Sequence, residues 1–174
     1  MTKGSKTTIE ARAETSEVPW EALYETHAQD IARYLRRLVG NADTAADLMQ
    51  ETFVRAMHAA RRPPREEMRP WLFRVASNLA MSHLRKPVWR SLLGIESQPK
   101  SQAPFEEAEQ LRQAMRSIPP DQAVTLALAF HEGFSRREIA GILGVSEETV
   151  KSRIARGRLN FTASYKRLER GLRA

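Results

Sequence analysis

The feature that most constrains the fold is the spacing of the apolar residues, which recur three or four positions apart through nearly all of the chain after Val18. This spacing gathers apolar side chains on one face of a helix, whereas a half-buried strand needs strict alternation. No run of alternating β-branched residues is present. The sequence therefore predicts an all-α fold.

Three helices are predicted in the first half of the chain. The first spans about Trp20–Val39, and the second begins near Asp43, a residue type that favours helix N-caps. The second helix is predicted to continue until the Pro-Pro pair at 63–64 blocks it. The third opens around Pro70, because proline is tolerated in a first turn, and continues to Lys86.

The helical pattern fails between residues 87 and 104, where three prolines and scattered Ser and Gln are typical of a flexible linker. Four further helices are predicted beyond it. We therefore expect two small helical domains joined by a linker. The predicted segments are a disordered tail at 1–17, a three-helix domain at 18–86, the linker at 87–104 and a helix-turn-helix domain at 105–174.

Positive charge is concentrated in two parts of the chain, whose formal net charge is +7. Residues 151–174 contain eight basic residues and one acid, and residues 61–90 contain eight basic residues and two acids. This balance suits a polyanionic partner, either nucleic acid or an acidic membrane surface. Two separate basic surfaces suggest two contacts with one long ligand.

The strongest local motif begins at Ser135. Ser135 and Glu138 have the spacing of a capping box that opens a short helix, and Gly144 can supply the positive φ of a tight turn. Ser146 then caps a second helix, whose apolar positions four apart point inward and leave its basic residues exposed. In a helix-turn-helix, an exposed basic second helix enters the major groove of DNA.

The string Glu-Ile-Ala-x-x-Leu-Gly-x-Ser-x-x-Thr-Val-Lys-x-Arg-x-x-Arg, from Glu138 to Arg156, resembles region four of bacterial sigma factors. In that family, region four binds the minus-35 promoter element. A very similar string occurs in response-regulator output domains, so this half alone leaves both families open. The resemblance implies minus-35 contacts by Ser135, Arg136, Glu147, Glu148, Lys151, Ser152, Arg153 and Arg156.

The N-terminal half resembles region two of the extracytoplasmic-function (ECF) group of sigma factors in the order and spacing of its residues. The resemblance rests on the segment Asp47–Phe53 and on the segment Arg69–Asn78 with Arg85. Two matched domains in the right order are more specific than either one. Position 82 is often Asp in this family and is Ser82 here, which leaves the minus-10 sequence preference open.

In the family, one face of region two binds core RNA polymerase and another holds the melted minus-10 strand. The resemblance implies polymerase contacts by Asp47, Gln50, Glu51 and Phe53. For Phe53, a place in the hydrophobic core is the stronger interpretation. The implied minus-10 residues are Arg69, Arg74, Asn78, Ser82, Arg85 and Lys86.

The resemblance thus predicts a sigma factor that directs promoter-specific transcription initiation, recognises both promoter elements and assists promoter melting. Its expected partners are core RNA polymerase, duplex and single-stranded promoter DNA, and an anti-sigma factor. We expect no cofactor, metal or catalytic activity. The absence of cysteine excludes disulfides, and no apolar stretch is long enough for a membrane span or a signal core, so a cytoplasmic location is expected.

Three other functions remain open from the residues alone. A stand-alone helix-turn-helix regulator would bind duplex operators without polymerase, usually as a symmetric dimer. A pure protein-interaction module would use its basic faces for an acidic partner. An enzyme would have to begin from carboxylates such as Asp43, Asp47 and Glu51, which at four-residue steps share a helix face that could hold a divalent ion.

Overall fold

The computed structural model describes residues 19–85 and 106–172, and within these ranges every regular element is helical. The all-α prediction is confirmed. The predicted tail at 1–17 and linker at 87–104 lie outside the described residues, as does Lys86. The helices are α1 Trp20–Val39, α2 Ala42–His58, α3 Met68–Arg85, α4 Glu106–Arg116, α5 Pro120–Phe130, α6 Arg136–Leu143 and α7 Glu147–Leu172.

The ends of the first three helices follow local rules, with two departures from the prediction, both in α2. Asn41, not Asp43, caps α2, because its side chain accepts a hydrogen bond from the Thr44 N–H at 2.9 Å. Helix α2 also ends at His58, earlier than the proline pair requires, because Ala59 already has extended backbone angles. A short 3₁₀ turn at Arg65–Glu67 then leads into α3.

The N-terminal unit, α1 to α3, packs around a buried polar contact. The Tyr34 hydroxyl of α1 lies 2.7 Å from the Ser77 hydroxyl of α3, and both side chains are buried. The Phe73 ring lies edge-on to Tyr34 with 5.2 Å between centroids. Trp71 is half-buried against the same core. Together with the buried apolar face of α3, this contact sets which α3 side chains face solvent.

The C-terminal unit, α4 to α7, is built around α5, which is buried along most of its length. Helix α7 crosses α5 at Gly157, where an added Cβ would lie 3.1 Å from the Leu126 side chain. Beside this crossing, the Asn160 amide donates a hydrogen bond to the Gln122 side chain at 2.8 Å. The packing of α7 on α5 therefore combines a close approach of the two helices with a side-chain hydrogen bond.

The two units pack directly on each other and share one continuous hydrophobic core. Helices α1 and α3 both contact the C-terminal helices, and the rings of Phe73 and Phe134 meet edge-on at 5.2 Å. The sequence predicted two domains joined by a linker and gave no sign of this packing. Helical periodicity identifies which faces are apolar, but it does not identify the partner that covers each face.

Candidate nucleic-acid and protein interfaces

Helices α6 and α7 form the predicted helix-turn-helix. Ser135 and Glu138 make both bonds of the capping box, since the Ser135 hydroxyl accepts from the Glu138 N–H and the Glu138 carboxylate accepts from the Ser135 N–H at 2.8 Å. The Ser135 hydroxyl also donates to the Glu138 carboxylate at 2.7 Å, and this bond, with the one from the Ser135 N–H, lowers the pKa of Glu138. Gly144 has φ 65° in the turn, and the Ser146 hydroxyl accepts from the Thr149 N–H at 3.1 Å.

The N-terminal part of α7 presents charged side chains to solvent. Glu147, Glu148, Lys151 and Arg156 are exposed, and Ser152 is half-buried. The Arg156 guanidinium donates to the Ser152 hydroxyl at 2.7 Å, a bond within the same helix. Ser135 and Arg136, at the start of α6, are also exposed. A basic helix face with only local partners is available for a DNA groove.

Arg153 differs from the other predicted members of this surface. Its guanidinium forms an ion pair with Asp121 of α5 at 3.1 Å, and its side chain is only 21% exposed. Arg153 is therefore less exposed than the sequence analysis predicted for the basic residues of this helix. Arg153 lies three residues after the buried Val150 and four before Gly157, on the side of α7 that faces α5.

Helix α3 carries a second polar and basic stripe. Arg74, Asn78, Ser82 and Arg85 are all exposed, and they follow one another at steps of four, four and three residues. This spacing places them on one face of the helix. Four of the six predicted minus-10 residues therefore lie together.

Arg69 does not belong to this stripe. It is half-buried at the junction of the two units, with its guanidinium 4.2 Å from the centroid of the Phe134 ring. It also donates a hydrogen bond to the Glu132 carbonyl oxygen at 3.0 Å. The sequence places Arg69 beside the stripe in the chain, but Glu132 and Phe134 lie more than 60 residues away and no local pattern predicts these two partners.

The predicted polymerase-binding face lies on α2. Asp47 and Gln50 are exposed, and the half-buried Glu51 pairs with Arg55 of the same helix at 2.6 Å. Phe53 is 5% exposed and packs edge-on against Tyr24, so it is a core residue, as the stronger interpretation held. It packs in the core beneath this face and is not itself exposed on it.

This face also has an apolar part, in which the sequence interpretation did not include Met57 or Tyr24. Val54 and Met57 of α2 are 48% and 45% exposed, and Tyr24 of α1 is 44% exposed. The available signal is the spacing of Gln50, Val54 and Met57 at four and three residues, which puts Met57 on the docking face.

Comparison with known proteins decides the family. The Sigma-70 region 2 family matches residues 23–90, and the Sigma-70 region 4 family matches residues 108–160. The ECF RNA polymerase sigma factor SigL of Mycobacterium tuberculosis is 33% identical over 147 residues, which cover 76% of this chain and 81% of SigL. The chain belongs to the ECF group of the sigma-70 family.

Other sigma factors agree with this assignment. SigE of Mycolicibacterium smegmatis is 33% identical over 153 residues, and the match covers 80% of this chain but only 58% of SigE. The structure of CnrH in complex with the cytosolic domain of CnrY has a TM-score of 0.65 at 25% identity, covering 83% of this chain and 85% of that chain. RpoE of Bartonella quintana, solved in complex with the anti-sigma factor NepR, has the same fold with a TM-score of 0.64 at 21% identity, covering 84% of this chain and 96% of that chain.

The matched sigma regions fit promoter recognition and transcription initiation, and no catalytic family is matched. Among residues 19–85 and 106–172, no three His, Asp or Glu side chains are grouped so that they could hold a metal ion. The carboxylates of Asp43, Asp47 and Glu51 therefore form no such group. None of the helices in the described part of the chain is long and apolar enough to span a membrane.

Proposed function

We propose that this sigma factor binds core RNA polymerase and directs it to promoters with minus-35 and minus-10 elements. One observation carries this proposal: two separate basic faces, on α3 and on α7, lie in the two units that match sigma regions two and four. A stand-alone operator-binding regulator uses its recognition helix, but has no task for the α3 stripe or for the docking face of α2.

The start of α7 reads the minus-35 duplex from the major groove. Lys151 and Arg156 supply the positive charge, and a bidentate contact from arginine to guanine discriminates by about 1 to 3 kcal/mol. Ser135 and Arg136, at the exposed start of α6, lie where the first helix of such a motif crosses the phosphate backbone. Arg153 contributes by holding α7 on α5 through Asp121.

The α3 stripe holds the melted minus-10 strand. Arg74 and Arg85 attract phosphates, while Asn78 and Ser82 between them offer hydrogen bonds to bases or sugars. Because serine is uncharged and both donates and accepts, Ser82 restricts the choice of base less than a carboxylate would.

The face of α2 docks on core polymerase. Its polar residues Asp47, Gln50 and Glu51 adjoin the exposed apolar side chains of Val54 and Met57. Protein interfaces commonly combine an apolar centre with a polar rim, and methionine adapts well to a partner surface. Domain boundaries near residues 18, 86 and 105 suit this division of tasks.

We also propose that an anti-sigma factor regulates this chain in the cytoplasm, and that the chain itself catalyses no reaction. The support for a regulatory partner is that CnrH, a relative in fold at 25% identity, was solved in complex with the cytosolic domain of CnrY. No catalytic or cofactor-binding role is needed to explain any of the three faces.

The direct test is reconstituted transcription. Purified protein is mixed with sigma-free core RNA polymerase and fragmented genomic DNA from its source, and RNA 5′ ends are mapped against protein-alone and core-alone controls. We expect discrete starts only when both proteins are present, with two shared elements upstream. Tight duplex binding by the protein alone, without starts, would instead support the stand-alone regulator.

A further inference from the structure

Arg69 is held at the junction of the two helical units by three contacts at once. These three contacts are of two kinds: its guanidinium lies over two rings, 4.2 Å from the centroid of Phe134 and 5.2 Å from that of Phe73, and it donates to the Glu132 carbonyl oxygen at 3.0 Å. A planar guanidinium combines stacking and hydrogen bonding in this way when its water is displaced. In this position Arg69 is not available to a DNA phosphate.

The side chain of Glu132 adds a contact between the same junction and α1. Its carboxylate accepts a hydrogen bond from Arg37 of α1 at 3.1 Å, and the Glu132 side chain is only 7% exposed. Burial raises the pKa of Glu132, while the charges of Arg37, Arg69 and Arg33 lower it and that of Asp30 raises it. The segment Glu132–Phe134 thus reaches α1 and α3 together.

A third contact engages the proposed DNA stripe itself. Arg74 of α3 donates through Nε to the Ile142 carbonyl oxygen of α6 at 3.3 Å. Arg74 and Arg69 are therefore both bonded to backbone oxygens of the C-terminal unit. The Arg69 contacts cannot persist if its guanidinium turns toward nucleic acid, and the bond from Nε limits how far the exposed Arg74 guanidinium can turn.

We infer that the segment Glu132–Phe134 is an intramolecular latch. When closed, the latch holds the two helical units together and withholds Arg69 and Arg74 from the minus-10 strand. Closure and strand binding compete for the same arginines. The affinity for the strand is therefore proportional to the fraction of molecules that are open. Any partner that separates the two units releases both residues. This inference rests on the proposed minus-10 role of α3.

The closed state is tested first by distance. The chain has no cysteine, so cysteines introduced at the exposed Glu25 and Arg158 carry a donor and an acceptor dye at unique sites on α1 and α7. Arg37→Glu and Glu132→Arg each place like charges in the latch. We expect either variant to lower energy transfer, and the double swap, which restores an opposite pair, to recover most of it.

Folding is checked in each variant by helix content and by the cooperativity of unfolding. Arg37→Ala, which truncates a partly exposed side chain, provides a milder opening if a reversal prevents folding. Unchanged energy transfer in the folded single variants, or a double swap that opens further than either single, would overturn the latch.

Strand release is tested with a fluorescein-labelled single-stranded DNA of mixed sequence, whose binding is followed by anisotropy. Glu132→Arg is compared with Glu66→Arg, which makes the same charge change at an exposed position three residues before Arg69. We expect about tenfold tighter binding for Glu132→Arg than for Glu66→Arg, as follows if about nine in ten molecules are closed. Adding Arg69→Ala to Glu132→Arg should remove much of this gain.

The two measurements separate the latch from the proposed function. If energy transfer falls but strand binding equals that of Glu66→Arg, the units open without exposing a strand site. That result would overturn both the withholding of Arg69 and the minus-10 role of α3. If energy transfer does not respond, the latch is wrong, while the reconstituted transcription assay still decides the sigma function independently.

Discussion

The two basic faces of this sigma factor differ in whether their arginine and lysine side chains already have partners in the other helical unit. On α7, Lys151 and Arg156 face solvent, and in the described part of the chain they hydrogen-bond only within their own helix. On α3, Arg69 and Arg74 are hydrogen-bonded to the C-terminal unit. Both regions look alike in charge along the sequence. Charge alone therefore marks a candidate nucleic-acid surface without telling whether its guanidinium groups are free to bind.

The two faces are also supported differently. Helix α7 is seated on α5 by the Arg153–Asp121 ion pair and by the close approach at Gly157. Helix α3 is fixed by the buried contact between Tyr34 and Ser77. The polar contact that supports the duplex-reading face thus lies near the surface, whereas the one that supports the strand-binding face lies inside the core, beside the buried Leu72 and Phe73.

The largest effect is expected from Arg156→Ala on minus-35 duplex binding. Because Arg156 lies on the open face of α7, its loss should weaken binding by about 5-fold to 150-fold, corresponding to the roughly 1 to 3 kcal/mol of a specific arginine contact. Electrophoretic mobility shift with the mapped promoter measures this loss. Binding to core polymerase should not change.

Arg158→Ala is the matched control, since Arg158 is also exposed but projects about 200° around the helix from Arg156. It should weaken duplex binding by no more than about twofold, as expected for a screened, distant charge. Equal losses for both variants would mean that α7 contributes only diffuse charge, and the groove-reading role would be lost.

Local features of the fold were predictable because their cause lies within four residues. The capping box at Ser135 and the left-handed Gly144 depend only on neighbouring backbone groups, and both are present as predicted. The positions of Arg69 and Arg153 were not predictable, because their partners are far along the chain. An arginine near the boundary of a helix face can turn inward or outward, and only the facing helix decides which.

The next largest effect is expected from Tyr34→Phe, which removes the hydrogen bond between Tyr34 of α1 and Ser77 of α3. The Ser77 hydroxyl would remain buried without its partner, at a cost of about 1 to 3 kcal/mol in the free energy of unfolding. Burial raises the pKa of Tyr34, so the folded chain keeps its phenol protonated where the unfolded chain loses the proton, above about pH 10. Stability from this group is complete below that pH and is lost as pH rises.

Urea unfolding at pH 8 and pH 10.5 measures both parts of this prediction. Wild type should lose stability between the two pH values, and Tyr34→Phe should lose less. The exposed Tyr24 is the control, because Tyr24→Phe should leave the alkaline loss unchanged. An alkaline loss of the same size in Tyr34→Phe would show that burial of Tyr34 is not its cause.

A smaller effect is expected from Ser135→Ala, which removes the N-cap of α6 and should lower the free energy of unfolding by about 1 kcal/mol. Hydrogen bonds from Ser135 lower the pKa of Glu138, so their stabilisation is present above the ordinary carboxyl pKa and is lost as pH falls through the lowered value. The penalty of Ser135→Ala should therefore shrink on acidification, as measured by urea unfolding at pH 6 and pH 3.5.

Ser146→Ala provides the comparison, because Ser146 caps α7 through the Thr149 N–H without a carboxylate in the motif. Its penalty should stay constant over the same pH range. If both penalties change alike with pH, the cause is general acid destabilisation and not the capping box.

The smallest effect is expected from Arg74→Ala on single-strand binding by the closed chain. Arg74 and Arg85 lie on the same exposed stripe, but Arg74 is already bonded to the Ile142 carbonyl oxygen. Each phosphate contact with a single strand contributes about 0.7 to the slope of log K against log salt. Arg85→Ala should reduce this slope by about that amount, and Arg74→Ala by almost nothing, in anisotropy titrations at several salt concentrations. Equal reductions would show that the C-terminal unit does not restrain Arg74, and the contrast between the two basic faces would then disappear at this residue.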